Sequence, residues 1–214
     1  VKYSDSVNRL FLPTGDKWAA HKRARALVLE GKDIIELSLG GADIPTPQTL
    51  VDDLCNAIKN GRTGYTDGAG EPELRAALAA RYSRTTGRDI GPDQILCFPG
   101  TQTSLYAVMN AIGSPGDEII VGDPMYATYE SVIASSGAAM VSVPLRAEND
   151  FRMSAKDVEA MVTDKTTAIF INTPHNPTGS ILTEQDIREI GEVAIKHDLW
   201  IVSDEVYEEM IFEG

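Results

Sequence analysis

Residues 167–204 read TAIFINTPHNPTGSILTEQDIREIGEVAIKHDLWIVSD. A short β-rich apolar run, 167–171, passes through a turn rich in proline and glycine. Helical spacing follows over 183–197, and a second apolar run, 199–203, stops at Asp204. Strand, helix and strand in this order place the two strands parallel, with the helix as the crossover. The alternation continues upstream, where predicted strands 94–98, 117–121 and 139–143 are separated by predicted helices 102–112, 127–136 and 155–162. The pattern is that of an α/β fold with a mainly parallel sheet flanked by helices. No repeat period or low-complexity segment interrupts it.

Toward the N-terminus the pattern changes. Asp16 to Glu30 carries apolar residues at helical spacing (Trp18, Ala19, Ala26, Leu27), stopped by Gly31, and a strand is predicted over 34–39. The Gly/Pro-rich stretch from Gly40 to Pro47 is the best candidate boundary, dividing residues 1–44 from a larger domain over 45–214. Helices are predicted over 48–60 and 72–86. At the other end Val206, Tyr207, Met210, Ile211 and Phe212 are apolar with little left to pack against, so more polypeptide is expected after Gly214.

Composition excludes several function classes. The chain has 214 residues, 43% hydrophobic and 24% charged, enough for one large or two modest cores. Thirty-two acidic against nineteen basic residues give a net charge of -13, which opposes binding to nucleic acid or an anionic membrane. The cluster Lys22-Arg23-Ala24-Arg25 interrupts a helical pattern and reads as a solvated face. Cys55 and Cys97 each have apolar neighbours and are expected as buried, unpaired thiols, in keeping with a reducing cytoplasm. No apolar run is long enough to span a bilayer, and no metal site is expected.

Ligands of open α/β sheets bind beyond the carboxyl ends of the strands. Strand 94–98 ends in Pro99-Gly100-Thr101-Gln102 and opens into a helix, whose first amides and dipole suit a phosphate; a plain cap by Thr101 explains the same residues. Strand 117–121 delivers Tyr126 and Tyr129, either stacking platforms or core packing. Strand 167–171 leads into Asn172-Thr173-Pro174-His175-Asn176-Pro177-Thr178-Gly179, a rigid turn able to hold an amide still, or simply a tight connection. Strand 199–203 delivers Asp204, followed by Glu205-Val206-Tyr207. A carboxylate closing an apolar strand needs a cationic or hydrogen-bonding partner, unless it serves as a helix cap.

Taken together, these strand ends resemble the class I/II aminotransferases, enzymes of pyridoxal-phosphate fold type I. Leu37-Ser38-Leu39-Gly40 with Pro45-Thr46-Pro47, Gly64-Tyr65-Thr66 with Gly70 and Glu73-Leu74-Arg75, and Pro124-Met125-Tyr126 support the likeness. The 172–179 turn and Ser203-Asp204-Glu205-Val206-Tyr207 are its most specific parts. The resemblance implies the cofactor pyridoxal 5'-phosphate, with Asp204 on the pyridine nitrogen and Tyr207 and Asn176 on the ring oxygen. It also implies Tyr126 on the ring face and the Gly100-Thr101-Gln102 backbone at the phosphate. Gly40, with Asn176, would lie at the substrate, and Tyr65 would reach the phosphate of a second subunit in a homodimer.

The implied activity is amino-group transfer between an amino acid and a 2-oxo acid. Its Schiff-base lysine would lie beyond Asp204 and Tyr207, whereas all eight lysines of the chain precede them. These 214 residues alone are therefore expected to be inactive. A carbon–sulfur β-lyase would use the same cradle and stays open. A regulatory cofactor-binding module would need a DNA-binding head, for which the segment before Gly40 is too short. A dinucleotide fold is set aside because Gly68-Ala69-Gly70-Glu71-Pro72-Glu73 lacks a third glycine and no strand precedes it.

Overall fold

The computed structural model describes residues 2–10, 18–41 and 43–212. In chain order the helices are α1 (Asp5–Leu10), α2 (Ala19–Leu29), α3 (Gln48–Lys59), α4 (Pro72–Thr86), α5 (Thr101–Ile112), α6 (Tyr129–Ser136), α7 (Ala155–Ala160) and α8 (Glu184–His197). The strands are β1 (Glu118–Asp123), β2 (Ala139–Pro144), β3 (Thr166–Asn172) and β4 (Trp200–Asp204). The chain divides into two compact units, Val1–Pro13 with Pro99–Gly214, and Thr14–Phe98.

The unit that includes Pro99–Gly214 is built on a parallel sheet in the order β2-β1-β3-β4. Its central strands explain why the sequence shows continuous apolar runs rather than alternation. Side chains of a strand point alternately to the two faces, and here both faces are covered. Ile119 and Val121 of β1, with Ala168 and Phe170 of β3, face Leu105, Met109, Tyr129 and Ile133 of α5 and α6. Ile120, Ile169 and Ile171 face the opposite way, onto Val158, Ile190, Val193 and Ala194 of α7 and α8. Burying each such side chain stabilises the fold by about 1.5–3 kcal/mol. α8 is also started locally: the Thr183 hydroxyl accepts from the Asp186 amide, and the Asp186 carboxylate accepts from the Thr183 amide. α1 joins this unit through Arg9, which donates to the Ala134 and Ser135 carbonyls at the end of α6.

The Thr14–Phe98 unit is thinly packed. Among its described residues only Gly70 and Ala79 are buried. The apolar positions of α3, Leu50, Val51, Leu54 and Ile58, are all exposed. Cys55 is exposed and Cys97 half-buried, which corrects the expectation of two buried thiols. Apolar neighbours mark a side of a helix or strand as apolar, but burial also requires something to cover it. The Lys22, Arg23 and Arg25 side chains are exposed, as expected.

Two predicted strands are absent. Residues 34–39 form no strand, and residues 92–94 form a 3₁₀ turn followed by an extended segment without ladder partners. Strand propensity is realised only where a neighbouring strand accepts the hydrogen bonds. The 95–98 segment is held instead by the Cys97 amide donating to Ala69 O and by Arg75 donating to the carbonyls of Ile95 and Pro92. Gly70 sits in this contact at φ +106°, and a Cβ there would lie 2.6 Å from the Cβ of Cys97. Gly70→Ala is expected to destabilise this unit by more than about 1 kcal/mol through backbone strain and that clash. Faster amide exchange confined to 69–98 is the check, and unchanged exchange would contradict it.

Candidate functional site

At the carboxyl end of the sheet, β3 and β4 finish side by side, with Asn172 in register with Asp204. Asp204 is only 7% exposed. It begins no helix; its Oδ1 accepts the Val206 amide at 3.2 Å in a local turn. Its Oδ2 accepts the Tyr129 hydroxyl at 2.8 Å. Tyr129 lies in the first turn of α6, 2% exposed, with its ring 4.4 Å from that of Phe170. Burial, reinforced by the Asp204 charge, pushes its phenol far above the ordinary value, so the proton stays on the tyrosine oxygen.

The 172–180 turn is fixed from both ends. Asn172 Nδ2 donates to Asp204 O, and its Oδ1 accepts the Asn176 amide at 2.8 Å. Asn176 Nδ2 then donates to the Tyr207 hydroxyl at 2.9 Å, so the two polar groups are already paired. Peptide bonds 173–174 and 176–177 are cis. His175 is half-buried, and burial holds its imidazole below the ordinary value, favouring the neutral form.

Gly100 caps α5 with φ +88°, a backbone that side-chain-bearing residues rarely adopt. Thr101 is the first helical residue rather than the cap, and no side chain caps this end. The Thr103 amide already donates to Gly100 O, so the amides of Thr101 and Gln102 are the ones without an intrahelical acceptor, which makes this terminus an anion-binding candidate. Gln102 is tied across to α6, its Oε1 accepting from the Thr128 hydroxyl.

These elements enclose a cavity of about 210 Å³. Of the residues singled out from sequence, Thr101, Gln102, Tyr126, Asn176, Asp204 and Tyr207 line it. Gly40 and Tyr65 belong to the other unit, where both are exposed. Tyr129, read from sequence as either a stacking ring or core packing, is packed in the core and also anchors Asp204 through its hydroxyl, and Asn172 anchors Asn176. Both had a legible signal: Tyr129 opens the predicted helix that follows Tyr126, and Asn172 is the polar end of an apolar strand.

The wall is chemically ordered. One side offers a buried carboxylate, another a paired amide and phenol, another an aromatic ring, and the helix terminus offers free N–H groups. That donor set fits a flat, cationic heteroaromatic ring bearing an oxygen substituent and an anionic tail. Among the described residues no group of three or more His, Cys, Asp and Glu side chains could hold a metal, and no helix is long and apolar enough to cross a membrane.

Tyr129→Phe is expected to weaken binding of such a ligand about tenfold, because Asp204 loses the bond that orients it. Titration of the full protein with pyridoxal phosphate, the cofactor that the family resemblance implies, is the measurement. Equal affinity for variant and parent would contradict the anchoring role.

The family model for class I and II aminotransferases matches residues 32–214. Across all 214 residues the chain is 40% identical to the arginine–pyruvate transaminase AruH of Pseudomonas aeruginosa, covering 54% of that protein. It is 35% identical over 192 residues to an aspartate aminotransferase of Bacillus subtilis, covering 90% of this chain and 49% of that one. Among solved structures, an aspartate aminotransferase from Thermus thermophilus with maleate superposes with a TM-score of 0.93 at 31% identity, covering 100% of this chain and 56% of the other. The chain thus spans about half the length of the relatives it matches. Their names are those of transaminases, which does not favour the carbon–sulfur lyase alternative.

Proposed function

Because the chain belongs to the class I and II aminotransferase family, we propose that Pro99–Gly214 forms the cofactor cradle of a pyridoxal-phosphate-dependent enzyme. The full protein transfers an amino group between an amino acid and a 2-oxo acid. The observation that carries this reading is one cavity bordered by Asp204, Tyr126, the Asn176–Tyr207 pair and the first residues of α5. When bound, the cofactor supplies an electron sink for negative charge at the substrate Cα.

The residues divide the work by chemistry. Asp204 has spare acceptor capacity beyond the Tyr129 and Val206 bonds, and a carboxylate there favours a proton on the ring nitrogen. Asn176 gives one amide hydrogen to Tyr207, leaving its second hydrogen and the Tyr207 hydroxyl proton to meet an oxyanion on the ring. Tyr126 covers a ring face, and the amides of Thr101 and Gln102 receive the phosphate. Asn176 borders the substrate.

The reading extends to a homodimer in which the fully exposed Tyr65 crosses to a second subunit, and to a reducing cytoplasm, consistent with two free thiols. The test supplies the full protein with pyridoxal phosphate and pairs of L-amino acids with pyruvate or 2-oxoglutarate. Saturable cofactor binding and the matching new amino acid are expected. Failure of the cofactor to bind at micromolar concentration would overturn the proposal.

A further inference from the structure

Asn176 sits in a turn with few backbone donors, because Pro174 and Pro177 carry no N–H. Its main chain is held by the His175 amide donating to Ser180 O and the Gly179 amide donating to His175 O. The rest of the fastening falls to side chains. His175 Nδ1 lies 2.7 Å from Thr178 Oγ1, Thr178 Oγ1 lies 3.2 Å from Ser180 Oγ, and Ser180 Oγ lies 3.2 Å from Phe151 O.

Counting hydrogens fixes the direction of this chain. The Phe151 carbonyl can only accept, so Ser180 spends its one hydroxyl hydrogen there. Ser180 Oγ must then accept the hydrogen of Thr178. Thr178 Oγ1 has none left to give, so His175 must donate to it from Nδ1. The Ser180 amide is a second donor to Thr178 Oγ1, at 3.3 Å, which fills both acceptor positions of that oxygen. The imidazole is therefore committed to a proton on Nδ1, with Nε2 as the bare nitrogen in its neutral form.

The far end of the relay is equally specific. Asp150 and Phe151 both have positive φ, 51° and 55°, in a turn where neither is glycine. For a residue as bulky as phenylalanine this backbone is uncommon, and it persists where surrounding contacts hold it. Phe151, His175 and Ser180 line one small cavity together with Asn172. The left-handed turn presents the carbonyl on which the relay ends.

We propose that Thr178 is a positioning residue whose hydroxyl locks His175 in the Nδ1–H form and ties the turn bearing Asn176, through Ser180, to the carbonyl of Phe151. Asn176 and Tyr207 then meet the cofactor's ring oxygen at a preset spacing. The role toward the cofactor rests on the function proposed above, while the lock on His175 does not.

The experiment compares the full protein with its Thr178→Val, Thr178→Ser and Ser180→Ala variants. Multiple-bond ¹⁵N–¹H spectra of labelled histidine read the His175 tautomer, and titration reads the dissociation constant for pyridoxal phosphate. The parent and Thr178→Ser are expected to show Nδ1–H. Thr178→Val removes the acceptor, and Ser180→Ala frees the Thr178 hydrogen to turn toward His175, so both are expected to gain Nε2–H. Thr178→Val should also bind the cofactor roughly tenfold more weakly, with serine restoring affinity.

If Thr178→Val fails to fold, Ser180→Ala alone decides the tautomer. Nε2–H in the parent, or Nδ1–H persisting in both disrupting variants, overturns the proposal. A changed tautomer with undiminished cofactor affinity overturns the positioning role. A parent that binds no cofactor but shows the expected tautomers would refute the proposed function and leave the lock standing.

Discussion

Exchanging Asp204 for asparagine in the full protein is expected to lower transamination at saturating substrate by at least about a hundredfold. The side chains are nearly the same size, so the cavity keeps its shape, and asparagine's oxygen can still accept the Tyr129 hydroxyl. What disappears is the charge, together with the bond from the Val206 amide, which an NH₂ in place of Oδ1 cannot accept. Opposite charges about 4 Å apart at an effective dielectric of about 20 attract by about 4 kcal/mol, near a thousandfold in an equilibrium. Part of that is returned by the amide dipole and by water, hence the smaller figure. Asp204→Glu keeps the charge but moves it by one methylene, so it should fall between asparagine and the parent. Turnover within threefold of the parent for Asp204→Asn would remove Asp204 from the proposed machinery.

That prediction uses a residue visible from sequence, and the reason it was visible is physical. A carboxylate at the end of an apolar strand is costly unless partnered, so its position alone poses the question of a partner. The glycine before α5 and the rigid turn around Asn176 were legible for similar reasons, because backbone constraints leave marks in residue type. The parallel sheet was legible because strands covered on both faces must be apolar throughout, as 119–121 and 168–171 are. The failures share a cause as well. Residues 34–39 and 94–98 have strand-like composition, yet a strand exists only in a pair, and pairing is not a property of the segment. The thiols of Cys55 and Cys97 are less buried than their apolar neighbours suggest, because an apolar stripe such as that of α3 implies a partner surface without supplying one. The sequence allows Tyr129 two roles, a stacking ring or core packing. It is buried as a core residue is, but its hydroxyl turns that packing into the support of Asp204.

The dual role of Tyr129 leads to the other large effect. Phe170 is 1% exposed at the centre of β3, with its ring against Tyr129. Phe170→Ala is expected to cost about 3–5 kcal/mol through lost burial and the cavity left behind. Against a typical total of about 5–15 kcal/mol this is a large fraction, and it should lower the melting temperature by roughly 10 °C. Ile190, also fully buried but on the opposite face of the sheet, provides the control. Ile190→Ala should lose about 2–5 kcal/mol in the same way, yet it leaves the chain Phe170–Tyr129–Asp204 intact. A ligand that binds only the folded state stabilises it in proportion to the logarithm of its concentration over its dissociation constant. Saturating pyridoxal phosphate should therefore raise the melting temperature of Ile190→Ala by about as much as that of the parent. The increment should be smaller for Phe170→Ala, where Tyr129 loses the ring that holds it against Asp204. Equal increments in the two variants would mean that Phe170 supports only the core, and that the carboxylate is oriented without help from the packing beneath it.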